Sequence, residues 1–493
     1  MFDFQVTYIA LALLGVVVGI VFGALPGMTA TMAVAIFLPL TYGLGLVPSL
    51  YLLIGLYVGG ISGGLVPAIL INIPGTPSSL CTTFDGHPMA IRGEGVRAMR
   101  LGISASLAGG IISLVVLALF TPILSKWAIK FSSVEKFLII VFALTVIASL
   151  SHGKMLKGLF TGVVGIFFSL VGVFEMNQMT RFVPKSMSLT LRDGFQLLPL
   201  LIGLFAFAQL FSEAEKGMKQ TLVDTSELDS NARVFKFRDL LPQSTNIVRS
   251  SLIGTFMGIL PGIGGSAASL LAYSQAKTWS KHPEKFGTGF DDGLVASEAS
   301  NNGITGGALV PLLSLGIPGD STTAVLIGAF VLQGIQVGPL FIEQNPMLWN
   351  TILFALLLCN LLMFVCMYYP VKQLANIIKI PKGRLYPAVI LLCLVGAYAT
   401  RNGNMFDVLT LFIFGLIGYL FEKFDYPTTT FLIGFILGRD LERYFIDSVT
   451  GANGDLSIFF ARPISWVIWV MIIASLVYAF FSARKSQKQE AVR

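Results

Sequence analysis

The sequence predicts an all-α polytopic membrane protein of about 10–14 membrane-embedded helices. It further predicts two inverted repeats, with Pro-Gly-broken helices at the repeat interface. Three observations carry this expectation. Of 493 residues, 55% are hydrophobic and only 12% charged, and the mean hydropathy is +0.80. Apolar runs near spanning length recur at 6–25, 50–71, 101–120, 137–150, 155–174, 195–211, 348–369, 385–399, 406–421 and 463–482. A pattern G-x-x-x-G-x-L-P-G closes an apolar run twice, in "GIVFGALPGM" from Gly19 and "GTFMGILPGI" from Gly254.

Each run justifies a helix. A helix needs about 20 apolar residues to cross the hydrocarbon layer, fewer when flanking groups snorkel, and continuous rather than alternating runs exclude a β-barrel. The first run is read as structure and not as a leader, because "MFDFQ" has no basic region and no small-x-small site precedes Pro26. The net charge of +7 fits basic cytoplasmic loops and points to no nucleic acid. Cys81, Cys359, Cys366 and Cys393 have no metal-ligand spacing and read as small apolar residues. His87, His152 and His282 stand alone and read as interfacial polar residues.

The two Pro-Gly motifs are 235 residues apart. A second pair, "GLVPAILINIPGTPSS" from Gly64 and "ALVPLLSLGIPGDSTT" from Ala308, aligns without gaps at 244. The nine-residue difference falls in the polar insert Lys277–Gly293. Loop charge sets direction. Arg484, Lys485 and Lys488 place the C-terminus in the cytoplasm, and so do Lys216, Lys219, Arg233, Lys236 and Arg238 for the loop 212–246. The N-terminus, without early Lys or Arg, is expected in the periplasm. The loop after Pro74 carries three arginines and the loop after Pro318 no Lys or Arg, so equivalent loops lie on opposite sides. The loops 121–136 and 175–194, each with three basic residues, run against this scheme. The expected division is repeat one at 1–211, a cytoplasmic connector at 212–246, repeat two at 247–437, and a C-terminal segment at 438–493.

A break at membrane depth leaves backbone groups to be satisfied by protein, water or ligand, and the helix restarting there offers N–H groups and partial positive charge to an anion. The candidate substrate-binding residues are therefore the breaks and the hydroxyls behind them. In repeat one they are Pro26, Gly27, Thr29, Thr31, Pro74, Gly75, Thr76, Ser78 and Ser79. In repeat two they are Pro261, Gly262, Gly264, Gly265, Ser266, Pro318, Gly319, Ser321, Thr322 and Thr323, with Ser269 one turn further on. The alternative is that Pro and Gly are only kinks and packing notches, the reading kept for the pairs Gly19/Gly23 and Gly254/Gly258. "ASEASNNG" makes Glu298, Asn301 and Asn302 candidate coupling-cation ligands; they equally suit the solvated end of a loop. Asp320 is a fourth candidate, or a helix cap. Whether 8–25/28–40 and 250–260/264–276 form re-entrant hairpins or full crossings is open at this level.

At "GALPGMTATMAVAIFLPLTY", "INIPGTPSS", "DGHPMA", "GILPGIGGSAASLLAYSQAK" and "EASNNGITGGALVPLLSLGIPGDSTTAVLIGAF" the chain resembles TctA, the large membrane subunit of bacterial tripartite tricarboxylate transporters. The resemblance covers nearly the whole length. It implies secondary uptake of citrate-like organic acid anions across the bacterial inner membrane. It implies a small TctB-like membrane subunit and a periplasmic TctC-like solute-binding protein as partners. It implies no enzymatic activity and no cofactor beyond Na⁺ or H⁺ as coupling ion. Two rivals remain. An ion channel would use multi-ion filters or charged rings. A membrane-embedded enzyme would need H-E-x-x-H, which is absent, or a Ser or Asp with a partner that the sequence does not place near it.

Overall fold

The computed structural model describes residues 5–149, 155–174, 178–187, 190–216, 234–262, 264–401 and 403–490. His152, Lys219 and Arg233 of the sequence reading lie outside these. In chain order the helices of the first half are α1 (Val6–Ala24), α2 (Ala30–Phe37), α3 (Leu46–Gly63), α4 (Leu65–Ile71), α5 (Thr82–Ile91), α6 (Gly95–Ala128), α7 (Ser133–Ser149), α8 (Met155–Ser169), α9 (Leu197–Leu201) and α10 (Ala208–Lys216). Those of the second are α11 (Ser244–Ile259), α12 (Gly264–Trp279), α13 (Asp291–Gly307), α14 (Leu309–Leu315), α15 (Ser321–Leu332), α16 (Phe341–Gln344), α17 (Pro346–Tyr368), α18 (Val371–Leu374), α19 (Lys382–Ala399), α20 (Met405–Lys423), α21 (Thr428–Gly451) and α22 (Pro463–Glu490). Among the described residues, strands are confined to one short antiparallel pair, Gly172–Val173 with Thr180–Arg181. Among the described residues, six helical stretches are long and apolar enough to cross a membrane, and five shorter apolar helices accompany them. The fold is an all-α polytopic membrane protein.

Packing divides the chain into two compact units, each drawing on both halves: Met1–Ile123 with Glu213–Gly396, and Leu124–Ser212 with Ala397–Arg493. The duplication and the packing thus cut the sequence at different places.

In the first unit the helices stop where the Pro-Gly motifs stand. Leu25 turns extended after α1 and Gly27 takes φ +89°, so the chain leaves the helix before Thr29 caps α2. Gly262 does the same at φ +75°. These are conformations that a Cβ penalises. With eight residues, α2 extends only about 12 Å at 1.5 Å per residue, far short of the hydrocarbon core.

A second set of glycines serves backbone contact. A Cβ on Gly19 would sit 3.0 Å from Leu56 Cα, and one on Gly254 would sit 2.7 Å from Ser300 Cα, the residue 244 positions after Leu56. Gly59 packs on the Val16 carbonyl and Gly303 on that of Ser251; Gly63 packs on Ile20 and Gly307 on Thr255. Gly75 abuts the Gly23 carbonyl and Gly64 Cα, and Gly319 abuts the Gly258 carbonyl and Ala308 Cα. Every one of these pairs obeys the two sequence offsets. Asn72 and Gly316 both end their helices in the left-handed region, at φ 56° and 76°. Thr76 with Ser79, and Asp320 with Thr323, form matching capping boxes. The first unit is therefore built twice from one plan of α1–α3 and α11–α13 pairs. Small residues let these backbones meet where no hydrophobic driving force operates between helices.

The second unit uses the same device. Gly165 packs on the Phe431 carbonyl, Gly434 on that of Gly162, and Gly203 on that of Leu411. A π-helical turn, Ile202–Phe207, joins α9 to α10. A cavity of about 510 Å³ lies against α8 and α21. Arg181 pairs there with Glu442 at 2.5 Å and Arg443 with Asp447 at 4.0 Å, and Arg439 donates to the Ser169 carbonyl at 3.0 Å.

Candidate functional site

The polar centre of the first unit is assembled from both halves. Thr31, early in α2, shares a hydrogen bond of 2.8 Å with Thr322, early in α15. The first motif of repeat one thus meets the second motif of repeat two. The reciprocal meeting also occurs. Gly265, at the start of α12, packs on Ser78, and Ser269 Oγ donates to the Ser78 carbonyl at 2.9 Å. Contacts of i with j and of j′ with i′ are what a two-fold relation between copies produces.

The breaks satisfy part of their own backbone. Gly262 N–H donates to the Gly319 carbonyl at 2.8 Å, and Gly75 N–H to that of Gly64 at 3.3 Å. Those two N–H groups are spent within the protein. The sequence reading gave Gly75 and Gly319 to ligand approach; the space beside each is filled by backbone. Thr29 accepts from Met32 N–H at 3.1 Å and so caps α2. Thr76, Ser78 and Ser79 bond one another, and Thr323 is tied to Asp320. Pro26, Gly27, Gly264, Gly265, Ser266 and Ser321 retain partial exposure, whereas Pro318 and Gly319 are buried. Pro74 is half-buried and Pro261 buried.

Glu298, Asn301 and Asn302 lie inside α13 with no accessible surface, so the solvated-loop alternative is excluded. Glu298 accepts hydroxyl protons from Thr82 at 2.5 Å and Ser106 at 2.8 Å. Asn302 accepts from Ser62 at 2.9 Å and donates to the Ser106 carbonyl at 3.0 Å. Asn301 Nδ2 reaches the Ile61 carbonyl at 3.5 Å, while its Oδ1 is buried without a hydrogen-bond partner. Asp320 is a helix cap: it accepts from Thr323 N–H at 2.7 Å, Thr323 Oγ1 at 2.8 Å and Tyr57 Oη at 2.6 Å.

Sequence reasoning missed the partners. Tyr57, Ser62, Thr82 and Ser106 sit in apolar runs or short polar stretches at separations near 200 residues or more from the groups they serve. It also missed Glu213. This carboxylate stands in the last turn of α10, is buried, packs against Gly27 at the first break, and accepts from Tyr386 Oη at 3.2 Å. Asp85 of "DGHPMA" is a structural hub. Its Oδ1 takes the N–H groups of Gly287, Gly289 and Phe290 at 2.8–2.9 Å, and its Oδ2 takes Tyr273 Oη at 2.8 Å. Arg92 holds the carbonyls of Thr288 and Gly289, and Arg97 grips Asp291 through two bonds. The polar insert that lengthens repeat two is thereby clasped to α5 and α6.

What the arrangement can do is hold an anion near broken helices with hydroxyls, and a cation among buried carboxyl and amide oxygens. Among the described residues no cluster of three or more His, Cys, Asp or Glu is placed to hold a metal ion.

Comparison with known proteins gives a family model for "Tripartite tricarboxylate transporter TctA family", matching residues 9–433. An "Uncharacterized 52.8 kDa protein in TAR-I ttuC' 3'region" of Agrobacterium vitis is 33% identical over 97% of this chain and 94% of its own. A second protein of that organism, "Uncharacterized protein in TAR-II ttuC' 3'region", is 31% identical over 48% of this chain and 98% of its own. No solved structure matches.

Proposed function

The chain belongs to the tripartite tricarboxylate transporter TctA family, and from that premise we propose that it is the large transmembrane subunit of a binding-protein-dependent carrier. It takes up citrate-like organic acid anions by symport with Na⁺ or H⁺. The observation that carries this reading is the reciprocal meeting of the breaks, Thr31 with Thr322 and Ser269 with Ser78. It puts interrupted helices from two repeats around one buried polar centre, the arrangement carriers use for a substrate site at a repeat interface. The two-fold axis lies in the membrane plane, making the repeats inverted; the opposite charge of equivalent loops supports that orientation. The N-terminus is periplasmic and the C-terminus cytoplasmic, in the bacterial inner membrane. The substrate-facing groups are the breaks and hydroxyls named above, without Gly75 and Gly319, whose role is packing. The candidates for the coupling-cation ligands are Glu298, Asn301, Asn302 and Asp320, of which Asp320 also caps α15. A TctB-like small subunit and a TctC-like periplasmic binding protein complete the carrier.

The test is uptake by vesicles holding this chain and its small partner, supplied in turn with a panel of binding proteins loaded with candidate acids. Saturable uptake that requires one binding protein is expected. Uptake of no acid with any of them, in vesicles where both subunits are shown to be folded, overturns the reading.

A further inference from the structure

The four cation candidates are not equivalent in the structure. Asn302 is satisfied at both ends of its amide, by Ser62 and by the Ser106 carbonyl. Asp320 has three donors, and it stands at the N-terminus of α15, where partial positive charge favours an ionised carboxylate. The cap itself serves its oxygens. Glu298 has no helix terminus beside it. It lies in the middle of α13, whose N–H groups are engaged in the helix, and it meets neutral side-chain donors alone, the hydroxyls of Thr82 and Ser106 and the Asn301 amide, for an acceptor capacity of about four. Among the described residues no Lys, Arg or His pairs with it. A fully buried carboxylate in that position persists only when neutralised by a proton or a bound cation.

One helical turn on, and so on the same face, Asn301 carries a deficit of the same kind. Its Nδ2 reaches the Ile61 carbonyl at 3.5 Å and its amide also bonds Glu298, while its Oδ1 is left buried with no donor. A buried carbonyl oxygen without a donor costs about 1–3 kcal/mol. One positive charge between the Glu298 and Asn301 oxygens removes both deficits.

We infer that Glu298 and Asn301 together seat one of the coupled monovalent cations, Na⁺ or a proton, and that Asp320 and Asn302 are fixed structural groups that take no part in exchange. The inference rests on the carrier reading for the word "coupled"; the seat itself does not. Thr82 and Ser106 orient the Glu298 carboxyl and bind it to α5 and α6, so filling the seat changes how three helices hold together. The titratable Tyr, His, Asp, Lys and Arg groups on the surrounding elements are Tyr51 and Tyr57 on α3, Asp85 and His87 on α5, Arg97, Arg100 and Lys126 on α6, Arg249 on α11, and Tyr273 and Lys277 on α12. These bond away from Glu298: Tyr57 to Asp320, Asp85 to Tyr273 and loop N–H groups, His87 to the Ile69 carbonyl, Arg97 to Asp291, and Arg249 to Asn246, while Tyr51 stacks on Tyr8. Arg100 lies over the Tyr368 ring.

The test is thermal unfolding of the full-length purified chain, without substrate. NaCl is titrated against choline chloride at constant ionic strength, at two pH values. With Na⁺ in the seat, the unfolding temperature rises with NaCl. Glu298→Gln abolishes the rise, Asn301→Ala moves its midpoint tenfold or more to higher concentration, and Asp320→Asn lowers the starting value but leaves the midpoint unchanged. With a proton in the seat, NaCl has no effect, the wild type loses stability as pH rises, and Glu298→Gln is less pH-sensitive while Asp320→Asn keeps the wild-type dependence. A response that survives Glu298→Gln with an unchanged midpoint overturns the inference, as does one lost in Asp320→Asn alone, or a wild type that answers to neither Na⁺ nor pH. Because no substrate is present, failure of organic acid uptake falls on the carrier reading alone. Cation-dependent uptake that survives Glu298→Gln falls on the seat alone.

Discussion

Replacing Gly319 by Ala tests whether the second-motif glycines exist for backbone packing or for ligand approach. A Cβ at Gly319 would lie 2.5 Å from Ala308 Cα and 2.8 Å from Ala308 Cβ, and would overlap the Gly258 carbonyl. Carbon atoms at optimal contact are about 3.5–4.0 Å apart, so the break and the start of α14 must separate by about 1 Å. The obstacles are backbone, which cannot swing aside as a side chain would. Overpacking of this kind costs about 1–3 kcal/mol and occasionally more; with three obstacles the upper end, about 3 kcal/mol, is expected. That is more than a hundredfold in the unfolding equilibrium. Gly75→Ala, 2.7 Å from Pro67 Cγ and 2.8 Å from Gly64 Cα, should cost the same within a factor of two in energy. Gly43→Ala is the control, since a Cβ there meets nothing within 4 Å. The assay is reversible unfolding in mixed micelles by denaturing detergent, run beside uptake. Gly319→Ala and Gly75→Ala should be destabilised well beyond Gly43→Ala. If both retain full stability while transport is lost, the glycines serve the ligand and the packing argument is wrong.

Thr31→Val and Thr322→Val should each cost about 1–2 kcal/mol, because each strands a buried hydroxyl, and the double variant should fall short of their sum by about 1 kcal/mol. Strict additivity in the same unfolding assay would deny the contact between halves. Asp85→Ala removes the acceptor of three loop N–H groups and of the Tyr273 hydroxyl. It should loosen the insert by about 2 kcal/mol, read as amide exchange roughly thirtyfold faster at Gly287, Gly289 and Phe290, with Asp85→Asn affected less. Unchanged exchange in Asp85→Ala would show that the loop holds itself.

The duplication was legible because it is written in glycine. Close backbone contact admits no other residue, so Gly19 against Leu56 and Gly254 against Ser300 keep their spacing through divergence of everything between. The breaks were legible for the same reason: Gly27 and Gly262 adopt backbone angles that a side chain penalises. The partition into units was not, because each unit draws one block from each half, and nothing local marks where a chain changes unit. The polar centre was half legible. A carboxylate and two amides inside an apolar chain announce themselves, and so Glu298, Asn301 and Asn302 were found. The hydroxyls that bind them, Thr82, Ser106 and Ser62, look like any small polar residue of a membrane helix, and only folding brings them within 3 Å. Sequence left Asp320 between ligand and cap; three short bonds make it a cap.

The central claim, secondary carriage of an organic anion, is tested most directly by accumulation in proteoliposomes containing both membrane subunits and the binding protein, with no ATP and a clamped potassium-diffusion potential. Moving one negative charge inward against an inside-negative potential costs about 2.3 kcal/mol per 100 mV, and a di- or trivalent acid multiplies that by its charge. The account therefore predicts symport with at least as many Na⁺ or H⁺ as the substrate has negative charges. The account expects labelled acid to concentrate inside only while an inward cation gradient is maintained, and expects an inside-negative potential to leave uptake unchanged or speed it. Equilibration without accumulation under that gradient, or uptake slowed by the inside-negative potential at saturating cation, would contradict it.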